Sequence, residues 1–120
     1  MPTVAQAVFE LYMEHLEHEP GFWGMRLFRP PQCLIWRNRA QRDYYDQHGF
    51  HSSPTLPWAG VVKYFTPRER AKLEAAYART WAAEQIITEH LEFGAHRVRC
   101  DFVAAYGSHE HGVIIVRTWP

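Results

Sequence analysis

The sequence predicts an α+β domain, with a single antiparallel sheet of about five strands and an N-terminal helix and one long helix packed on one face. Three observations lead there. Short apolar and aromatic runs over 22–28, 33–37, 61–65, 98–106 and 113–119 have the length and bounding turn residues of strands. Two segments repeat apolar residues at helical spacing. The chain has 120 residues, 47% of them hydrophobic, which is enough for one real core and leaves little room for a second domain.

Each element has a local reason. Thr3 is placed to cap a first helix in which Val4, Val8, Leu11, Tyr12 and Leu16 share a stripe, and Pro20-Gly21 ends it. The runs 22–28 and 33–37 are separated by Arg29-Pro30-Pro31-Gln32, which reads as a turn. Asn38 then caps a short helix through 39–48, stopped by Gly49. The segment 50–60, with Pro54 and Pro57, reads as an irregular loop presenting Trp58, and 61–65 as the third strand. Thr66-Pro67-Arg68-Glu69 joins an N-cap, a proline at the first helical position and a glutamate placed for a capping box. A long helix is expected from there to Phe93, with Leu73, Tyr77, Trp81, Ile87 and Leu91 on one stripe and Ala83, Ile86, His90 and Phe93 beside it. Gly94 would stop it. Val98, Cys100, Phe102, Ala104 and Tyr106 alternate in the next strand, and 107–112 makes a hairpin loop to the last.

Charge narrows the partners. Thirteen basic and thirteen acidic residues cancel, so the molecule lacks the general attraction that drives nonspecific nucleic-acid binding, and nucleic-acid contact would have to be local. The distribution is uneven. Glu10, Glu14, Glu17 and Glu19 make the first twenty residues acidic, while the next twenty-two carry Arg26, Arg29, Arg37, Arg39 and Arg42. One consequence is that the two segments lie against each other in the fold. Eleven of the thirteen basic residues are Arg, a bias that fits a GC-rich coding sequence of bacterial or phage type. No apolar run is long enough to span a membrane and the N-terminus lacks the pattern of a signal peptide, so the expectation is a cytoplasmic protein. Cys33 and Cys100 lack metal-knuckle or redox spacing and are expected as core thiols.

Function is read from residue types. Arginine and large aromatics offer contact area and directional donors for little rotamer entropy, so the segment 22–45 reads as a recognition surface. The expected partner-binding residues are Trp23, Arg26, Arg29, Trp36, Arg37, Arg39, Arg42 and Tyr44, joined by Trp58. If the helices cover one sheet face, the other would display Arg26, Arg37, Arg97 and Arg99. This makes a non-enzymatic protein-binding module of inhibitor, immunity or adaptor type, with another protein or a second copy as partner. A homodimer is suggested because the long helix has more apolar face than a small sheet covers. No cofactor is implied.

The alternative centres on histidine. His15 with His18, His48 with His51, His90 with His96 and His109 with His111 are near neighbours in sequence, and His109-Glu110-His111 has the residue types of a general acid and base for a small hydrolase or nuclease, with or without zinc. No third ligand stands at diagnostic spacing, so no metal site is predicted. No nucleophile elbow or phosphate-binding glycine loop is present.

Overall fold

The central strands are buried on both sides, and that decides the layering. In β1 (Phe22–Arg29), Met25 and Leu27 point to one face while Gly24 and Arg26 point to the other, and β2 (Gln32–Arg37) and β6 (Gly112–Trp119) pair with it in matching register. Each face therefore needs a cover. Helix α1 (Val4–Leu16) supplies one, burying Ala5, Phe9 and Leu16 against Met25, Leu27, Trp36 and Val113. The second face is covered by α2 (Arg39–Gln47), α3 (Trp58–Val62) and α4 (Pro67–Thr80), around a core of Leu73, Ala76, Tyr77, Leu91, Val98, Phe102 and Ile114.

The computed structural model describes residues 3–29, 32–50, 53–82, 85–109 and 111–120. The Pro30-Pro31 turn, His51, Ala83 and Glu110 lie outside them. The described residues form an α+β domain with one six-stranded antiparallel sheet, in the order β3-β2-β1-β6-β5-β4, and four helices. The remaining strands are β3 (Thr55–Pro57), β4 (Ile87–Phe93) and β5 (His96–Gly107). The expectation of helices on one face is corrected: α1 lies opposite α2–α4, because strands that bury both pleats cannot leave either to water.

Three of the expected helix starts form as read. Thr3 Oγ1 accepts from Gln6 N at 3.1 Å, Asn38 Oδ1 from Gln41 N at 3.3 Å, and Thr66 Oγ1 from Glu69 N at 3.2 Å. The long helix does not reach Phe93. It ends at Thr80, whose hydroxyl donates to Ala76 O at 2.7 Å, and β4 begins at Ile87. Ile87 and Leu91 are four apart, a spacing that shares a face in a helix and equally in a strand, so the stripe did not separate the two. Phe93, buried two residues beyond Leu91, settles the period as two. Gly94, at φ 59°, serves the turn of the β4–β5 hairpin instead of a helix stop.

The strand expected over 61–65 is also corrected. That segment is the end of α3 and a following turn, and the third strand is the short edge piece β3, paired to β2 with Leu56 opposite Ile35. An edge place suits Pro57, which has no N–H for a ladder. The predicted capping box forms only in half. Glu69 turns away from its own helix start and accepts from Glu92 N at 2.9 Å and from Lys72 Nζ at 3.3 Å, tying α4 to β4. The Glu92 amide first, and Lys72 after it, hold the Glu69 carboxyl below its ordinary value of 4.5.

A depressed folded pKa means that the unfolded chain takes up the proton first. Glu69 therefore adds stability above the ordinary glutamate range and loses it as pH falls through the lower folded value. Glu69→Ala is expected to cost about 1–3 kcal/mol at pH 7, since a charged group's hydrogen bonds are removed. Urea unfolding at pH 7 and pH 3 checks it: the gap between wild type and variant must narrow at the acid end.

A candidate ligand-binding cavity

Between the inner sheet face and α2–α4 lies a cavity of about 110 Å³. Eight of its 21 described lining residues are aromatic. Tyr45 and Phe50 meet edge to face at 5.9 Å between centroids, Phe50 and Phe93 at 5.5 Å, and Tyr77 and Phe102 at 5.5 Å. Leu56, Val61, Leu73, Leu91 and Val98 fill the spaces between them. Arg37 is the one charged residue of the lining, and no Asp or Glu is among the described residues that form it.

Three polar residues of the lining, Arg37, Gln41 and Tyr45, stand together. Asn38 starts α2 directly after β2, so Gln41 and Tyr45, four residues apart, stand one turn above the other over Gly24 and Arg37. Arg37 is 6% exposed, donates from Nη2 to Ser53 O at 2.7 Å, and holds its guanidinium carbon 5.1 Å from the centre of the Tyr45 ring. Burial pulls its pKa below the ordinary arginine value. Gln41 is 5% exposed and donates from Nε2 to Tyr45 Oη at 2.8 Å, while its Oε1 is buried with no hydrogen-bond partner. An unmet acceptor in such a place costs about 1–3 kcal/mol. Gly24 lies beside it: a Cβ there would be in ordinary contact with Gln41 Oε1 at 3.5 Å and crowded against Trp36 O at 3.0 Å.

Burial raises the Tyr45 hydroxyl to about 12 and pushes Tyr77 up further, so both stay protonated at neutral pH. Cys100 is a buried free thiol, raised to about 11 by burial, with Sγ 3.6 Å from Thr118 Oγ1. Cys33 is a half-buried free thiol, raised by burial against the opposing effect of Arg26. Neither thiol is set up as a nucleophile.

The residues read from sequence as one surface are divided among three places. Trp36 is fully buried under α1, whereas Arg26 and Arg37 are buried on the opposite face, with the Arg26 guanidinium carbon 4.8 Å from the Tyr77 ring and 4.7 Å from Phe28. These three are corrected from surface to interior, since a strand residue follows the pleat. Arg42 forks onto Glu17 at 2.7 and 3.2 Å, the contact between acidic first helix and arginine segment that the charge pattern suggested. Arg39 is exposed, 4.0 Å from Asp43. Tyr44 Oη lies 3.1 Å from His96 Nδ1, Trp58 packs its edge on Tyr77, and Trp23 lies under the Arg117 guanidinium at 5.0 Å. The side chain of Arg29 lies outside the described part.

Arg97 and Arg99 are on the sheet face opposite Arg26 and Arg37, so the predicted set of four does not assemble. His109 accepts from Trp81 Nε1 at 3.0 Å through Nδ1. Among the described residues no three His, Cys, Asp or Glu side chains come together as a metal set. No described helix is long and apolar enough to cross a membrane. The expected binding residues did not include Gln41, Tyr45, Phe50 or Tyr77, although Tyr45 closes the 22–45 segment and a helix whose stripe is Gln41 and Tyr45 with no Leu, Ile or Val was a usable signal.

No family model and no curated protein matches the chain. A solved structure with a similar fold is a sensory box histidine kinase/response regulator from Burkholderia thailandensis, at a TM-score of 0.53 over 92% of this chain and 82% of that one. At 11% identical residues the likeness is one of fold.

Proposed function

We propose that this domain is a sensor that takes up a small organic molecule between its sheet and α2–α4. The observation that carries the reading is the aromatic-rich cavity with the buried, unpartnered Oε1 of its lining residue Gln41. A concave, mostly apolar space with a few convergent polar groups is the usual form of a small-molecule site. The fold it shares with a chain titled a sensory box histidine kinase/response regulator supports the same reading.

A second reading, docking of a partner protein, is favoured by a partly exposed strip on the α1 side of the sheet, formed by Trp23, Arg99, Arg117 and Trp119. There the Arg117 guanidinium stacks on Trp119 at 4.1 Å and on Trp23 at 5.0 Å, and Arg99 on Trp119 at 4.9 Å. Arginine and tryptophan of this kind anchor protein interfaces. The two readings are compatible, because a sensor needs an outlet.

Untagged protein, purified at moderate salt, tests both by native mass spectrometry followed by denaturing extraction. A stoichiometric small molecule, or a thermal shift from members of a fragment library, is expected. Neither appearing would end the sensor reading. A retained protein partner that Arg117→Glu releases would support the docking face, and retention unchanged by that substitution would remove it.

A further inference from the structure

Resting on the sensor reading, the cavity's size and its unmet acceptor narrow what it accepts. A cavity that takes up benzene measures about 150 Å³, so a space of about 110 Å³ holds roughly three quarters of that bulk, about four non-hydrogen atoms. A ring is excluded while the walls keep their places. They are held there by packing, since Phe102 has no exposure and Leu73, Tyr77 and Leu91 are buried with it in one cluster.

Charge sets a second bound. The described lining has no carboxylate to receive a cation, and its one charged residue, Arg37, is already committed to Ser53 O and the Tyr45 ring among its partners. No counter-charge waits for an ion, so the occupant is neutral.

Hydrogen bonding sets the third. Gln41 Oε1 is, among the described residues, the only buried side-chain oxygen without a partner, and Nε2 of the same amide is committed to Tyr45 Oη at 2.8 Å. A Cβ on Gly24 would stand 3.5 Å from Oε1, and both residues line the space, so this oxygen lies at the cavity's sheet wall. The occupant brings it an O–H or N–H and is otherwise apolar. An aliphatic amine would arrive protonated, and an amide would carry in a carbonyl that needs a partner of its own.

We infer that the cavity binds a neutral short-chain aliphatic alcohol of propanol size. Its hydroxyl donates to Gln41 Oε1, and its carbons lie in the apolar lining.

NMR titration of the intact chain, after removal of any retained molecule, tests this with propan-2-ol, acetone, hexan-1-ol and phenol. A ligand so small binds no tighter than about 40 μM, which a titration resolves. In wild type, propan-2-ol should saturate with shifts centred on the Gln41 side-chain amide. It should bind about tenfold tighter than acetone, which matches it in size and lacks the donor. Hexan-1-ol and phenol, too large for the space, should bind more weakly than propan-2-ol. Gln41→Met combined with Tyr45→Phe removes the acceptor together with the hydroxyl that its loss would free, and should bring propan-2-ol to the level of acetone. Acetone binding as tightly as propan-2-ol, either larger probe binding more tightly, or a variant that keeps the preference overturns the alcohol class while the sensor reading stands. If propan-2-ol fails to saturate but a molecule of other chemistry is extracted, the class again fails alone. If nothing saturates and nothing is extracted, the space holds only water and both readings fail. The wild-type series decides the class even if the variant does not fold.

Discussion

Asn38→Asp is expected to destabilise the domain by at least about 3 kcal/mol, far beyond what replacing one amide by a carboxyl would cost at a surface. Asn38 is fully buried at the joint between β2 and α2, where its side chain makes five hydrogen bonds. Oδ1 accepts from Trp23 N at 3.2 Å and Gln41 N at 3.3 Å. Nδ2 faces the carbonyl oxygens of Gly21, Leu16 and Glu19 at 2.8, 3.1 and 3.2 Å. One residue thus fixes the end of α1, the entry to β1 and the start of α2. An aspartate keeps the acceptor and turns the donor into a second oxygen aimed at three oxygens.

Buried without a cation, the new carboxyl would hold its proton in the folded state above the ordinary aspartate value of about 3.9. The folded state then binds more protons than the unfolded one, so the penalty grows as pH rises past that value. Urea unfolding of wild type and variant at pH 5 and pH 8 reads this directly. A variant within 0.5 kcal/mol of wild type at both, taking about 0.5 kcal/mol as the ordinary surface scatter, would show that the Asn38 contacts do not hold these elements together.

Local signals in this chain were legible where one residue type does one job. Thr3, Asn38 and Thr66 announced helix starts, and each side chain accepts the amide it was expected to. Pairing was legible for β1 with β2 and β5 with β6, because a short turn brings each strand straight back beside the one before it. The β4 strand was hidden by Ile87 and Leu91, whose separation of four serves two periods. The side on which α1 packs was not in its own sequence but in β1, where a nearly continuous apolar run marks a strand buried on both faces.

The candidate site was harder for a different reason. Its lining is drawn from all six strands and from α2, α3 and α4, with one to a few residues from each, so no window of sequence contains it. Arg37 stood out by type but was assigned to a surface, because its place in the pleat depends on the register with Gly24. The arginine segment attracted attention as a cluster, and the fold spends it separately: Arg42 on Glu17, Arg26 against rings, Arg37 at the cavity. Clustering along a strand and helix says little about clustering in space unless spacing matches the element's period.

Phe102→Ala is expected to lose about 3–5 kcal/mol, the range for removing a buried ring from a core. Phe102 has no exposure, sits in the middle of β5, and packs its ring edge to face with Tyr77 at 5.5 Å. It belongs at once to the cavity lining and to the core cluster under α4 that includes Leu73, Ala76 and Ile114. Its removal therefore enlarges the ligand space instead of opening an isolated void. That joins stability to binding in a way a distant core site would not. A small aromatic such as benzene should bind the variant and restore part of the loss, by about 2.7 kcal/mol when its concentration is 100 times its dissociation constant. Thermal unfolding of Phe102→Ala and of a control, Phe9→Ala under α1, with and without benzene measures the difference. Phe9 is equally part of a buried cluster but on the opposite sheet face, so its variant should fall in stability without a comparable rescue. Equal rescue of both would mean that benzene fills any void and that the space beneath α4 has no special claim to be the ligand site; rescue confined to Phe102→Ala would tie the cavity, the inner face of the sheet and α4 into one binding unit.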